Sequence, residues 1–215
     1  MERPSDVTQS LCLMTYEIGH AAWNKGRIIG QKKPLKQQEV QMIRVALESE
    51  GRRRDCAMFE LAIDSKLRGC DLVRLRVRDV FSNGRIRDRT AVFQRKTKRS
   101  VQFEISPRTR AKLEAWLQVL GTDPDDYLFP GSSSSHVCVR QYARFIRKCI
   151  ELAGLDPYAY ATHSMRRTKV AQLYRATGNL RAVQLLLGHT SIASTTRYLG
   201  VEVEDALLLS EQIQI

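Results

Sequence analysis

The sequence predicts an α+β fold that is mainly α-helical, with a small antiparallel sheet at one edge. Three observations carry this reading. Apolar residues recur at helical spacing in the first and last parts of the chain, a single passage of short strand-like segments separates them, and 215 residues suit one domain or one domain with an appendage. Apolar residues at 43% and charged residues at 27% are ordinary globular values and exclude wholesale disorder.

Residues 35–50 carry Val40, Ile43, Ala46 and Leu47 on one helical face, and residues 55–66 repeat the pattern with Cys56, Phe59 and Ile63. Residues 72–78 are apolar and basic by turns, Ser82-Asn83-Gly84 signals a turn, and 91–93 and 101–105 bracket the run Arg95-Lys96-Thr97-Lys98-Arg99. Together they predict the sheet, with a strongly basic hairpin tip. Ser106-Pro107 opens a helix to Leu120, with Gly121 past its end. After the loop DPDDYLFPGSSSS come helices over 139–153, 164–177 and 180–187, followed by Gly154, Gly178 and Gly188 as stop signals, and then a segment leading to Tyr198.

The charge is +12, from 35 Lys and Arg against 23 Asp and Glu. Residues 52–112 hold 18 basic against 7 acidic residues, so nearly all the surplus lies in one segment, which points to a polyanion and by default to nucleic acid. No apolar run approaches the roughly 20 residues that cross a bilayer, and the start of the chain lacks a basic, apolar export signal. The reading is a cytoplasmic, nucleoid-associated protein without a membrane partner. Five cysteines with no C-x-x-C pair indicate neither a disulfide framework nor a zinc knuckle; they read as reduced and mostly core.

Five features stand in a fixed order: Arg68 in LRGCDLV, Lys96 in QRKTKRSV, His163 and Arg166 in THSMRR, His189 in LLGHTS, and Tyr198 in STTRYLG. In these residues the chain resembles the tyrosine recombinase (phage integrase) family, from about Leu35 to the C-terminus, including a Tyr nine residues after the Leu-Gly-His histidine. The resemblance implies a recombinase catalytic domain over 35–200. It also implies a site-specific recombinase that breaks and rejoins duplex DNA through a 3′-phosphotyrosyl intermediate.

Each residue type suits that chemistry. A phenol can form a phosphoester that a 5′-hydroxyl later attacks, which makes Tyr198 the nucleophile. Two guanidiniums match the non-bridging oxygens of a phosphodiester, a role for Arg68 and Arg166. Asp71, three positions after Arg68, is placed to orient it, and the family has an acidic residue there too. His163 and Arg166 share one face of a helix whose N-terminus, capped by Ser164 or Thr162, adds positive potential. The resemblance assigns His163 as proton acceptor or orienter for Tyr198, and His189 as a further phosphate donor.

An ammonium on the hairpin can protonate the leaving 5′-oxygen. Lys96 is the candidate by alignment with the family's K-T-G pattern, and Lys98, standing where Gly is common, is the rival. Arg95, Lys98, Arg99, Arg140 and Arg144 are candidate backbone-phosphate contacts. The scheme needs no metal and no cofactor, and the acidic cluster Asp123, Asp125 and Asp126 lacks the spacing of a calcium loop.

Most family members place a DNA-clamping domain ahead of this unit, whereas here residues 1–34 read as a tail or docking segment. The short invertases that switch fimbrial expression are similar in this. A fold of roughly 17 Å radius of gyration cannot encircle DNA, so the expected assembly is a homo-tetramer on double-stranded DNA, with accessory DNA-bending proteins as further partners. The acidic, Leu-rich tail 201–215 either packs on its own core or is exchanged between protomers. Two other readings are a DNA-binding accessory protein with the fold but no strand exchange, and a nicking-closing enzyme of topoisomerase type.

Overall fold

The computed structural model describes residues 31–132, 135–199 and 211. Most of the N-terminal docking segment and nearly all of the exchangeable tail lie outside these residues. Within them, helices α1 (Gln37–Ser49) and α2 (Arg53–Ser65) form as the apolar spacing predicts, with Val40, Ile43 and Leu47 of α1 turned to the core. Helix α2 has its last eleven residues buried, far more than the stripe read from sequence, because other elements pack on it from several sides.

The passage 72–78 is not part of a sheet. It forms two single helical turns, α3 (Gly69–Leu72) and α4 (Val77–Val80). Leu72, Val73, Leu75, Val77 and Val80 are all buried, while Arg74 and Arg78 are exposed, so two short turns satisfy the alternation. Extended backbone survives at Arg76 alone, which bridges to Tyr127, and the Asp79 carboxylate caps α4 by accepting the Arg76 N–H at 2.7 Å.

The predicted sheet is two separate antiparallel ribbons. Strands β1 (Phe81–Ser82) and β2 (Arg85–Ile86) close over Asn83-Gly84, both at positive φ (52° and 75°), as a two-residue hairpin turn demands. Strands β3 (Arg89–Gln94) and β4 (Arg99–Glu104) pair in register from Arg89↔Glu104 to Gln94↔Arg99. Val101 and Phe103 face the core, and residues 95–98 form the basic tip.

Helix α5 (Pro107–Leu120) begins at the Ser106 cap and ends before Gly121, as read. Then follow α6 (Val139–Leu152), α7 (Thr162–Thr177), α8 (Leu180–Leu187) and α9 (Ile192–Leu199). Neither Thr162 nor Ser164 is the N-cap of α7, which is Ala161. Ser164, in the first turn, instead accepts the Ala161 N–H at 3.0 Å, half of a capping box. Among the described cysteines only Cys56 and Cys149 are buried; Cys70 is half-buried and Cys138 is exposed at the start of α6.

Two apolar clusters result among the described residues. The larger joins α1, α2, β4, α5 and α6; the smaller consists of Val170, Val183 and Leu187, on which Leu173, Tyr174, Tyr198 and Leu199 pack. An ionic knot built on the buried Asp64 and Lys66 and the partly exposed Glu104 and Lys169 sits between α2, β4, α5 and α7. Lys169 reaches Asp64 and Glu104 at 2.6 Å each, Lys66 reaches Glu104 at 3.1 Å, and Asp64 accepts from the Ser106 amide and the Thr109 hydroxyl. Removing a partner of Asp64 or Lys66 would strand a buried charge, so the knot holds the end of α2 against the middle of α7. No helix among the described residues is long and apolar enough to cross a membrane.

Candidate active site

Arg68 stands where α2 gives way to α3. Lys66 makes a left-handed turn (φ 55°) with its side chain buried against Glu104, and Gly69 lets α3 lie flush on α6, since a Cβ there would come within 2.9 Å of the Tyr142 ring. Between them Arg68 is extended and half-buried, and its Nη1 donates to Gln94 Oε1 at 2.5 Å. Arg166 comes from the second turn of α7, is 2% exposed, and donates through Nη2 to the Leu187 carbonyl at 2.8 Å. The Gln94 amide nitrogen reaches the same carbonyl at 3.4 Å. One glutamine and one carbonyl therefore connect the two guanidiniums.

Asp71 is buried, but its Oδ1 accepts the backbone N–H of Arg95 at 3.1 Å. That bond ties α3 to the hairpin and differs from the expected pairing with Arg68. Lys96 is exposed on the hairpin tip, near enough to His163 to disfavour a charge on it. Lys98 takes φ 53° as its N–H closes on the Gln94 carbonyl at 2.9 Å. The residue that departs from the family's Gly thus occupies a left-handed position glycine would favour, at a cost of about 1–2 kcal/mol.

His163 lies in the first turn of α7. Partial burial of its ring lowers its pKa, and Arg166, Arg167, Arg68 and Lys96 lower it further, although the residue keeps an exposed edge. His189 follows Gly188 at the end of α8; burial, with Arg166 and Arg68, brings its pKa down to about 4. Its Nδ1 stands 3.2 Å from the buried Thr195 hydroxyl, and its ring meets Tyr198 edge-on with centroids 5.2 Å apart. Both imidazoles are therefore neutral at neutral pH.

Tyr198, on α9, packs on the smaller cluster with its hydroxyl shielded from solvent. Burial pushes its pKa up to about 12, against the pull of Arg166, Arg167 and Arg68. The Arg166 and Arg167 guanidinium carbons lie 5.9 and 5.0 Å from the ring centroid. Among the described residues, the buried side-chain polar atoms with no hydrogen-bond partner are the Tyr198 hydroxyl, Arg166 Nη1 and Asp71 Oδ2. Such orphans are rare and concentrate at functional sites. Arg166 stabilises the phenolate electrostatically, but the two groups do not meet hydrogen-bond geometry.

The fold thus brings Arg68, Lys96, His163, Arg166, His189 and Tyr198 from α3, the β3–β4 tip, α7, the end of α8 and α9 to one place. Arg95, Lys98 and Arg99 are exposed on the same hairpin, whereas Arg140 and Arg144 are exposed one turn apart on α6. Arg144 lines a separate open cleft of about 440 Å³ with Arg52, Arg54 and Lys148.

Three participants escaped the sequence reading: Gln94, Thr195 and Arg167. Arg167 donates from Nε to the Tyr198 carbonyl at 2.9 Å and from Nη1 to the Lys32 carbonyl at 2.6 Å, so it ties α9 to the segment leading into α1. Nothing in the composition of β3, α7 or α9 marks these residues: the partners of Gln94 and Arg167 are remote in sequence, and a Thr six residues after a His is ordinary.

The chain has similar counterparts among known proteins. Residues 33–204 match the model of the phage integrase family. A tyrosine recombinase of Pseudothermotoga lettingae is 30% identical over 150 residues, covering 69% of this chain and 50% of the relative. Tyrosine recombinase XerC of Erythrobacter litoralis is 30% identical over 149 residues, covering 68% and 46%. The chain therefore spans about half the length of the curated relatives it matches. In fold it is similar to the XerA recombinase crystal structure (TM-score 0.69, 23% identity, 86% of this chain and 67% of that one). It is also similar to a lambda integrase dimer bound to a COC′ core site (TM-score 0.61, 20% identity, 79% and 49%). The ordered Arg, His-x-x-Arg, His and Tyr, their convergence in space and the family match over most of the chain place this protein in the phage integrase family.

Proposed function

We propose that the protein is a site-specific DNA recombinase that cleaves and rejoins duplex DNA through a 3′-phosphotyrosyl intermediate at Tyr198. The observation that carries this reading is the convergence of Arg166 Nη1 and the Tyr198 hydroxyl, both buried and unpartnered, beside Arg68 and His189. A phosphodiester brought there meets donors for its non-bridging oxygens and a nucleophile for its phosphorus. Support for DNA as substrate comes from the basic hairpin and from relatives whose structures are described as bound to DNA sites, among them XerH on difH and lambda integrase on COC′.

In the proposed step the Tyr198 oxygen attacks phosphorus as its proton passes to neutral His163. The bond to the 5′-oxygen breaks, and that oxygen takes a proton from Lys96. Charge building on the five-coordinate phosphorus is held by Arg68, Arg166 and the His189 N–H, pre-set donors worth on the order of 2.7–4 kcal/mol each. The side chains supply all the positive charge the step requires, so no metal or cofactor enters it. A 5′-hydroxyl from a partner strand reverses the attack and completes rejoining.

Full-site recombination on this scheme uses a homo-tetramer on double-stranded DNA in the cytoplasm, at the nucleoid, with accessory DNA-bending proteins where the site calls for them. Residues 35–200 form the catalytic unit in this reading, and 201–215 the segment exchanged between protomers. A nicked suicide duplex incubated with the protein in EDTA should accumulate a covalent adduct that Tyr198→Phe abolishes. An adduct that survives the substitution would refute the assignment, and DNA binding without any adduct would point instead to an accessory DNA-binding role.

A further inference from the structure

Gln94 is 1% exposed although it ends the strand that leads into a solvent-exposed hairpin tip. Its Oε1 accepts from Arg68 Nη1 at 2.5 Å and from the Thr97 hydroxyl at 2.8 Å, and its Nε2 faces the Leu187 carbonyl at 3.4 Å, where Arg166 Nη2 also donates at 2.8 Å. The carbonyl neighbour fixes which end of the amide is nitrogen. Gly188 completes the contact: a Cβ there would stand 2.6 Å from Val101 Cγ1 and 3.7 Å from both Gln94 amide atoms, so the end of α8 is pressed directly onto the hairpin.

We infer that Gln94 is a positioning residue that sets the spacing of Arg68, Arg166 and the Lys96-bearing tip, orienting Arg68 without neutralising it. This deepens the recombinase reading and rests on it for the identity of the phosphate. An amide is suited to the position for an electrostatic reason. It offers Arg68 a neutral acceptor, so the guanidinium keeps its full charge and its remaining N–H groups for an anion. A carboxylate of the same shape would pair with Arg68 and compete with the phosphate, and its second oxygen would oppose the Leu187 carbonyl. Met preserves the volume but removes every hydrogen bond, freeing both Arg68 and Thr97.

The test compares Gln94→Glu and Gln94→Met with the unsubstituted protein. Inorganic phosphate is titrated at neutral pH against the C2–H proton resonances of His163 and His189, which report the site locally, while thermal melting confirms folding. Phosphate affinity is expected to fall about tenfold or more in Gln94→Glu, where a charge is cancelled, and about threefold in Gln94→Met, where only orientation is lost. On the suicide duplex the adduct rate should fall in the same order, with the DNA concentration for half-saturation changed less than twofold.

A residue that merely packs the hairpin would lower the melting temperature but leave phosphate affinity and adduct rate of the folded protein unchanged. That result in either folded variant would overturn the inference, and Gln94→Met decides alone if Gln94→Glu does not fold. If the unsubstituted protein binds phosphate but forms no adduct, the recombinase reading fails while the phosphate titration still judges Gln94.

Discussion

A phenol whose pKa has risen to about 12 attacks poorly at neutral pH unless a neighbour takes its proton during the step. His163 is suited to that task because burial and four surrounding cations keep its imidazole neutral. The sign of the resulting pH dependence follows: the folded-state pKa lies below the ordinary 6.5, so the competent neutral ring persists above that point and is lost as pH falls through it. We predict that the adduct rate is flat near neutrality and declines only on the acid side of the ordinary histidine range, and that His163→Gln lowers the plateau and removes the decline. Rates measured from pH 5 to 8 check this; an acid limb unchanged in His163→Gln would assign proton acceptance elsewhere. Stability shifts in the same direction through His189. Its pKa of about 4 when folded, against 6.5 when unfolded, means that the unfolded chain gains the proton first, so stability present above pH 6.5 erodes toward pH 4. The candidate site residues were legible as a set because their order and spacing carry the family resemblance, whereas Thr195 and Arg167 were not, since a Thr six residues after a His and an Arg next to an Arg have ordinary uses in any helical protein.

The hairpin and the α8–α9 corner set the active-site geometry at the level of elements. Gly188 serves both, taking φ 66° to end α8 and lying against Val101 of β4, whereas Gly154 takes φ 68° with nothing within 4 Å of a built Cβ. Gly154→Ala should therefore cost only the left-handed backbone penalty, about 1–2 kcal/mol. Gly188→Ala should cost that plus overpacking of about 1–3 kcal/mol and slow the adduct rate, because α8 must back away from the hairpin. Urea unfolding of the two variants makes the comparison, and equal losses would show that the close approach does not matter. Helices α5 and α8 were legible to the residue from cap and stop signals. The turns α3 and α4 were not: alternation of apolar and basic residues over 72–78 satisfies two-residue periodicity, yet burial of Leu72, Val73, Leu75, Val77 and Val80 by surrounding elements selected two short turns.

Over the whole molecule, the net charge of +12 is concentrated in residues 52–112; the β3–β4 tip exposes Arg95, Lys96 and Lys98, whereas Arg52 and Arg54 line a separate cleft and Arg108, Arg110 and Lys112 are paired with carboxylates. Among the described residues, α9 is seated on a cluster of three fully buried apolar residues, apart from the main core. A region held by so little apolar contact opens at lower free energy than the body of the domain. We propose that this looseness lets the chain beyond α9 engage a neighbouring protomer. Deleting residues 203–215 should then abolish cooperative assembly on DNA while the melting temperature stays within a few degrees of the full chain. Band-shift titrations and calorimetry measure the two quantities, and retained cooperativity would remove the tail from assembly.

The amino-acid order by itself determined the class of fold, the family and the bounds of α5 and α8, because these depend on local spacing and on cap and stop signals that no remote partner alters. The tertiary structure decided what each residue meets: that Asp71 holds the hairpin's Arg95 amide, that Gln94 stands between two arginines, and that the Tyr198 hydroxyl is buried beside Arg166. Those contacts join residues 24 to 93 positions apart, and their energies depend on distance and dielectric, quantities that exist only once the chain has closed on itself.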